Sequence, residues 1–227
     1  MRKALVTLVA LLAASPLALQ AQKAADRLEA AADVLTDMMK ADDKGIPQDL
    51  LNRSTCVVIV PNLKKAGFIV GAKYGRGFAM CRRASGTGWT APASMRVEGG
   101  SFGLQIGGTE QDIILLVMSE SGMKHLLADK FTLGGDASAA AGPIGRDASA
   151  QTDAQLHAEM LSYSRSRGLF GGLTLEGATL RPDKDANKEL YGRDADNKAI
   201  LQGDVQAPAA AAKLEQLLNR NSSRQSK

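Results

Sequence analysis

This sequence is poor in cysteine and histidine, with two of each among 227 residues, and it has no long apolar run beyond its N-terminus. Cys56, Cys81, His125 and His157 are too scattered to show the spacing of a metal-ligand set, so no metal site is expected. There is no Gly-x-Ser-x-Gly and no cysteine–histidine phrase of a known catalytic type around His125, His157 or Glu159, which argues against an enzyme. Glu110 and Asp112 flank a predicted turn and read as solvated charge. A transmembrane helix needs about 20 apolar residues, and the longest later candidate, Ile113 to Met118, is strand-sized. Charge of one sign is also lacking. Against 28 lysines and arginines stand 24 acidic residues, a net +4, where a dedicated nucleic-acid binder would be more basic. Gly71-x-x-x-Gly75-x-Gly77 carries neither the lysine nor the hydroxyl of a phosphate loop, and no helix follows it. It reads as a hairpin turn whose tip brings Lys73, Tyr74 and Arg76 together, and no cofactor is implied.

What is present begins with a leader. Arg2 and Lys3 precede an uncharged apolar run from Ala4 to Ala14, followed by small residues up to Ala21. This is the layout of a signal peptide over residues 1–21, and it implies a periplasmic or secreted protein. Removing Arg2 and Lys3 lowers the net charge to +2, so only a local patch would attract an anionic surface. In an oxidising compartment Cys56 and Cys81 are a candidate disulfide, with two buried free thiols on neighbouring strands as the alternative.

Along the rest of the chain, Leu28, Ala31, Ala32, Leu35, Met38 and Met39 recur at three- and four-residue steps, which predicts a helix over residues 22–40. Its polar face is mixed in sign, so it is expected to pack on the sheet and not to lie on a membrane. From Cys56 to Met118 short apolar runs alternate with turn residues at Pro61-Asn62, Gly86, Pro92, Gly99-Gly100 and Gly108, predicting an antiparallel meander that curls toward a barrel. Lys64 and Lys65 fall in the turn after Pro61. Ser119 is a predicted N-cap for a helix through Asp129. Gly134 to Ala150 is rich in small residues and reads as short strands around Gly142-Pro143. Further helices are predicted from Pro182 to Leu190 and from Ala209 to Asn219, with connection between them and a polar tail.

The most informative stretch is SYSRSRGLFGGLTLEG at 162–177. Arg165 and Arg167 alternate with serines and run into a glycine-loosened strand. Cations and backbone N–H groups offered together suit an anionic head group better than bond-breaking chemistry. With CVVIVPNLKKAGFIVGAKYGRG and QDIILLVMSESGMKHLL upstream, this stretch resembles the SYLF domain family over roughly Asp49 to Gly192. That family is a lipid-binding module whose yeast members also bind actin.

The expected fold is α+β: a curved, mainly antiparallel, possibly barrel-like sheet with helices from both chain ends packed on it. The SYLF-like domain is taken as 22–192, and 193–227 as linker, terminal helix and tail. The resemblance implies a non-catalytic module that binds anionic phospholipid at a membrane surface. Arg165, Arg167, Lys73, Arg76, Lys64 and Lys65 are the candidate lipid-binding cations, some of them gathered on one rim. An apolar groove lined by Phe68, Phe102 and Phe170 would favour acyl chains instead. A cell-envelope scaffold with a protein partner is the alternative. The exported, bacterial-looking leader argues against actin as a partner.

Overall fold

The computed structural model of the chain describes residues 16–41, 45–67, 70–102, 107–144, 155, 157–166, 169–172 and 175–223. Most of the leader, Phe68 and Arg167 lie outside these residues, as do the side chains of Phe102 and Phe170.

The chain opens with α1 (Pro16–Lys40) and α2 (Gln48–Arg53), then runs through β1 (Cys56–Gly67), β2 (Val70–Cys81), β3 (Ala93–Phe102) and β4 (Gly107–Val117). After α3 (Glu120–Leu126) come β5 (Phe131–Thr132), β6 (Ala139–Ala141), β7 (Met160–Ser166), β8 (Leu169–Gly172) and β9 (Thr179–Pro182). Two short helices, α4 (Lys184–Tyr191) and α5 (Asn197–Gln202), lead to the terminal helix α6 (Ala212–Asn221). The strands form one curled sheet in the order β5-β9-β3-β2-β1-β4-β7-β6, with β8 also on β7. All pairings are antiparallel except β6 with β7. The architecture is therefore the expected α+β one, with helices from both chain ends.

β1 lies at the centre because it can be buried on both faces. Its run Cys56–Val60 is apolar at every position, as a strand covered on two sides requires. Val57 and Ile59 face α1, α2 and α6, packing with Leu35, Met38, Leu51, Phe78 and Leu214. Cys56, Val58 and Val60 face the other way, toward Met95, Ile113, Leu180 and Ile200. The amphipathic stripe of α1 thus lies on the sheet, as its mixed polar face implied. Cys56 and Cys81, opposite each other on β1 and β2, are bridged by a disulfide.

The terminal helix is held by a buried cation. Arg82 donates to Ser54 O, Leu51 O and Ser222 O and stacks over Trp89 at 4.2 Å, while Trp89 Nε1 donates to Ser222 O at 2.7 Å. Burial without a carboxylate pushes the guanidinium down to about 10, so carbonyl dipoles and the indole face stabilise it.

Several predicted boundaries move. Pro61-Asn62 is not a turn but a bulge: between Ile59 and Lys64, β1 carries one residue more than β2, and between Val60 and Leu63 one more than β4. Asn62 takes the left-handed conformation there, at φ 52°. Gly71, Gly75 and Gly77 are likewise no hairpin turn, because β2 runs straight through them. A Cβ on Gly77 would stand 2.0 Å from Ile59 O, and one on Gly75 would meet Leu63 Cδ1 at 2.7 Å. These glycines let β2 approach the bulge. Glu110 and Asp112 lie within β4, since that strand already begins at Gly107. Ser119 does cap α3, accepting from the Gly122 N–H, but that helix ends at Leu126 and not Asp129. Helix α2, and α5 in a segment read as connection, were not anticipated.

Gly77→Ala forces backbone to move at the bulge and is expected to cost about 1–3 kcal/mol, the range for overpacked sites. A urea-unfolding midpoint within error of wild type would refute the requirement.

Candidate functional site

The register of the strands places two hairpins, β1–β2 and β7–β8, at one end of the sheet, where β3 also ends and β4 begins. The last row shared by the four central strands is Ser101–Gly71–Gly67–Gly107, and β7 reaches the same end at Ser166. At this end lies an open cleft of ≈ 670 Å³, lined by Asn62, Lys64, Lys65, Thr109, Asp112, Arg165 and Ser166 among others. Ser166 pairs with Leu169, whose residue surface is 73 % exposed. Three of the candidate cations, Lys64, Lys65 and Arg165, therefore share one cleft beside an exposed leucine.

The six cations do not form a single rim. Cross-strand partners share a sheet face, and Lys64, Arg76 and Arg165 fall on the face that carries α1. Each has a carboxylate there. Lys64 lies 3.5 Å from Glu110. Arg165 donates through Nε and Nη2 to Asp112 Oδ2, at 2.9 and 2.6 Å, and pairs with Asp37 of α1. Burial opposes its charge, but these hydrogen bonds hold it above the ordinary arginine value. Asp112 Oδ1 also accepts the Asn62 N–H at 3.0 Å, so one carboxylate fixes both the bulge and Arg165.

Arg76 is no turn cation. It donates to Asp183 Oδ2 at 2.5 Å, and Arg96 donates to Asp183 Oδ1 at 2.9 Å. Asp183 is fully buried and caps α4. Burial by itself would raise Asp183, but the hydrogen bonds from Arg76 and Arg96 bring it down to about 2.

Lys65 and Lys73 sit within strands as well, not in turns, and on the face away from α1. They are direct cross-strand partners. Lys73 is 7 % exposed and donates to Glu176 O at 3.0 Å. Burial lowers both ammonium groups below the ordinary lysine value, and the charge of Lys65 lowers Lys73 further. Among the described residues neither has a carboxylate partner. Their neighbours Thr109 and Gln111 were missed in the sequence, because nothing in a stretch read as turn and strand start marks which face a polar side chain takes.

With this geometry in view, the comparisons are informative. A family model described as "Ysc84: Las17-binding protein actin regulator" matches residues 98–221, more than half of the chain. The chain belongs to the Ysc84 family. This is the family that the SYLF phrases indicated. An SH3 domain-containing protein of Schizosaccharomyces pombe is 39% identical over 177 residues, covering 77% of this chain and 41% of that protein. Protein YSC84 of Saccharomyces cerevisiae is 34% identical over 196 residues, 83% of this chain and 42% of that protein. The human SH3 domain-containing YSC84-like protein 1 is 31% identical over 201 residues, 88% of this chain and 58% of that protein. The chain thus spans about half the length of these relatives. Their names correct one expectation. The Ysc84 family is described by a protein partner and by actin regulation, so the leader gives no ground for setting actin aside.

The Asp183 cluster yields a pH prediction. Because its folded value lies below the ordinary carboxylate value of about 3.9, its contribution is complete above that value and fades as pH falls toward 2. Wild type should lose stability over this window. Asp183→Asn, which removes the buried carboxylate between Arg76 and Arg96 and leaves Arg96 only Glu98 at 3.7 Å, should already lose about 3 kcal/mol at neutral pH and show a flatter acid limb. Superimposable urea midpoints against pH for the two proteins would contradict this.

Proposed function

We propose that this chain is a non-catalytic lipid-binding module of the Ysc84 family that holds anionic phospholipid at a membrane surface. The observation that carries the reading is the hairpin end of the sheet, where Lys65, which has no carboxylate partner among the described residues, lines an open cleft next to the exposed Leu169. An apolar side chain beside cations matches the boundary between acyl chains and phosphates. Near a charged bilayer a basic residue contributes roughly 1 kcal/mol. No helix among the described residues is long and apolar enough to cross a membrane, so the binding proposed is peripheral. Export is part of the same proposal: cleavage after Ala21 would shorten α1 by six residues and spare its buried face, which begins in the described side chains at Ala24.

A second reading comes from the description of the Ysc84 family as an actin regulator. In it the module engages an actin-regulating assembly through protein contacts.

Flotation with neutral and with anionic vesicles, at low and high salt, tests the first reading. Capture by anionic vesicles alone, lost in high salt, is the expected result. Absence from both vesicle fractions would overturn it, and pelleting with actin filaments in a parallel assay would then carry the second.

A further inference from the structure

The face of the sheet away from α1 changes character toward the hairpin end. Its lower rows are apolar, with Val58, Val60, Met95, Ile113 and Leu115 in the core. Above them Val97 pairs with Gly75 and Leu63 with Gln111, Gly75 lying against Leu63 at the bulge, and the next row of cross-strand partners reads Gly99–Lys73–Lys65–Thr109. In that row two lysines stand directly opposite each other, an arrangement that is destabilising unless something answers it.

No carboxylate does so among the described residues. Glu98, Glu110 and Asp112 all belong to the α1 face, where they pair with Arg181, Lys64 and Arg165. Glu176 offers Lys73 its backbone carbonyl, while its side chain lies along Gly134. The lysines nevertheless occupy a built setting. A Cβ at Gly99 would stand 3.3 Å from Lys73 Cε and 2.7 Å from Gly177 O, so the missing side chain makes room for the lysine stem beneath the chain that enters β9. An ammonium has three donors, and Lys73 uses one of them on Glu176 O. Beside the pair, Gln111 Oε1 is buried and accepts no hydrogen bond, so that side-chain amide is unspent. The Thr109 hydroxyl lies across from Lys65.

We infer that Lys65 and Lys73, with Thr109 and Gln111, form a binding site for a phosphate group on the face opposite α1. A doubly acceptor-rich anion placed between the two ammonium groups removes their repulsion and is met by charge-assisted hydrogen bonds. The same chemistry serves a phospholipid head group or a free phosphate. The inference deepens the membrane reading and rests on it for the lipid as the source. It also departs from a simple count of cations, because it assigns recognition to the two lysines that lack acidic partners.

The test uses the full chain and compares wild type, Lys65→Gln/Lys73→Gln and the control Lys130→Gln/Lys198→Gln, which removes the same charge at exposed sites outside the row. Flotation with phosphatidylglycerol vesicles reports the lipid. Shifts of the Thr109 amide and Gln111 side-chain NMR signals on adding inorganic phosphate report the free anion. The expected result is a loss of vesicle affinity of about tenfold or more in the first double variant and less than half of that in the control. Phosphate should shift Thr109 and Gln111 in wild type and leave them in place in the Lys65/Lys73 variant. Equal losses in both double variants, or full vesicle binding without Lys65 and Lys73, would overturn this site while leaving the membrane reading in force. Phosphate shifts without any wild-type flotation would keep the site and overturn the membrane reading. Neither signal would overturn both. Lys65→Gln alone, at a half-exposed position, carries the same comparison if the double variant fails to fold.

Discussion

The bulge at Pro61-Asn62 is the constraint on which the rest of this structure depends. In a strand the side-chain period is two, so one extra residue sends every later side chain to the opposite face. Below the bulge Ile59 faces α1 and Val60 faces away. Without the bulge, regular alternation would turn Leu63 and Lys65 toward α1 and Lys64 away from it. With it, Leu63 enters the core opposite α1, Lys65 follows it to stand against Lys73, and Lys64 meets Glu110 on the α1 face. Proline fits the position because a bulge interrupts the ladder and does not need its missing N–H. The extra residue is accommodated by Gly75 and Gly77 on β2 and held by Asp112 on β4.

Asp112 then links local geometry to tertiary structure. The carboxylate that accepts the Asn62 N–H through one oxygen receives Arg165 through the other, and Arg165 reaches Asp37 on α1. The bulge, β7 and the N-terminal helix are thereby joined through three side chains, Asp112, Arg165 and Asp37. Arg82 has the corresponding role at the other end of the sheet, tying the end of α2 and the residue after α6 to Trp89. In both cases an arginine is part of the framework, because a planar guanidinium bonds several fixed acceptors at once.

The sequence was legible where a pattern had one physical meaning. The apolar stripe of α1, the Ser119 cap, the continuous burial of Cys56–Val60 and the α+β class all follow from periodicity and capping. The long phrases of the SYLF resemblance led to the Ysc84 family, although α1, α2, β1 and β2 all precede the matched segment. Legibility failed at glycine and proline inside strands. Pro61-Asn62 and Gly71 to Gly77 carry the composition of turns, and only the approach of β2 to the bulge shows why that composition was needed. The same failure misplaced Lys64, Lys65, Lys73 and Arg76, all assigned to turns and all found in strands. Arg165 was singled out for its company of serines, but its partners Asp37 and Asp112 come from elements 128 and 53 residues away. No local pattern announces such partners.

That partition of charge decides how the surface should be read. A cation held by a carboxylate at hydrogen-bond distance presents little net field beyond the Debye length of about 8 Å at physiological salt. Lys64, Arg76 and Arg165 are therefore charges already answered, and their number says little about attraction to an anionic partner. Lys65 and Lys73 differ in kind. They face each other with the acidic residues of the neighbouring strands turned to the opposite side, so their repulsion remains in the folded protein. A fold keeps two like charges together at a cost in stability, and strain of this sort is most simply balanced by a ligand of opposite sign. The bulge makes this arrangement possible: by shifting the alternation of one central strand, it separates a neutralised, helix-binding face from a face with charge left to use.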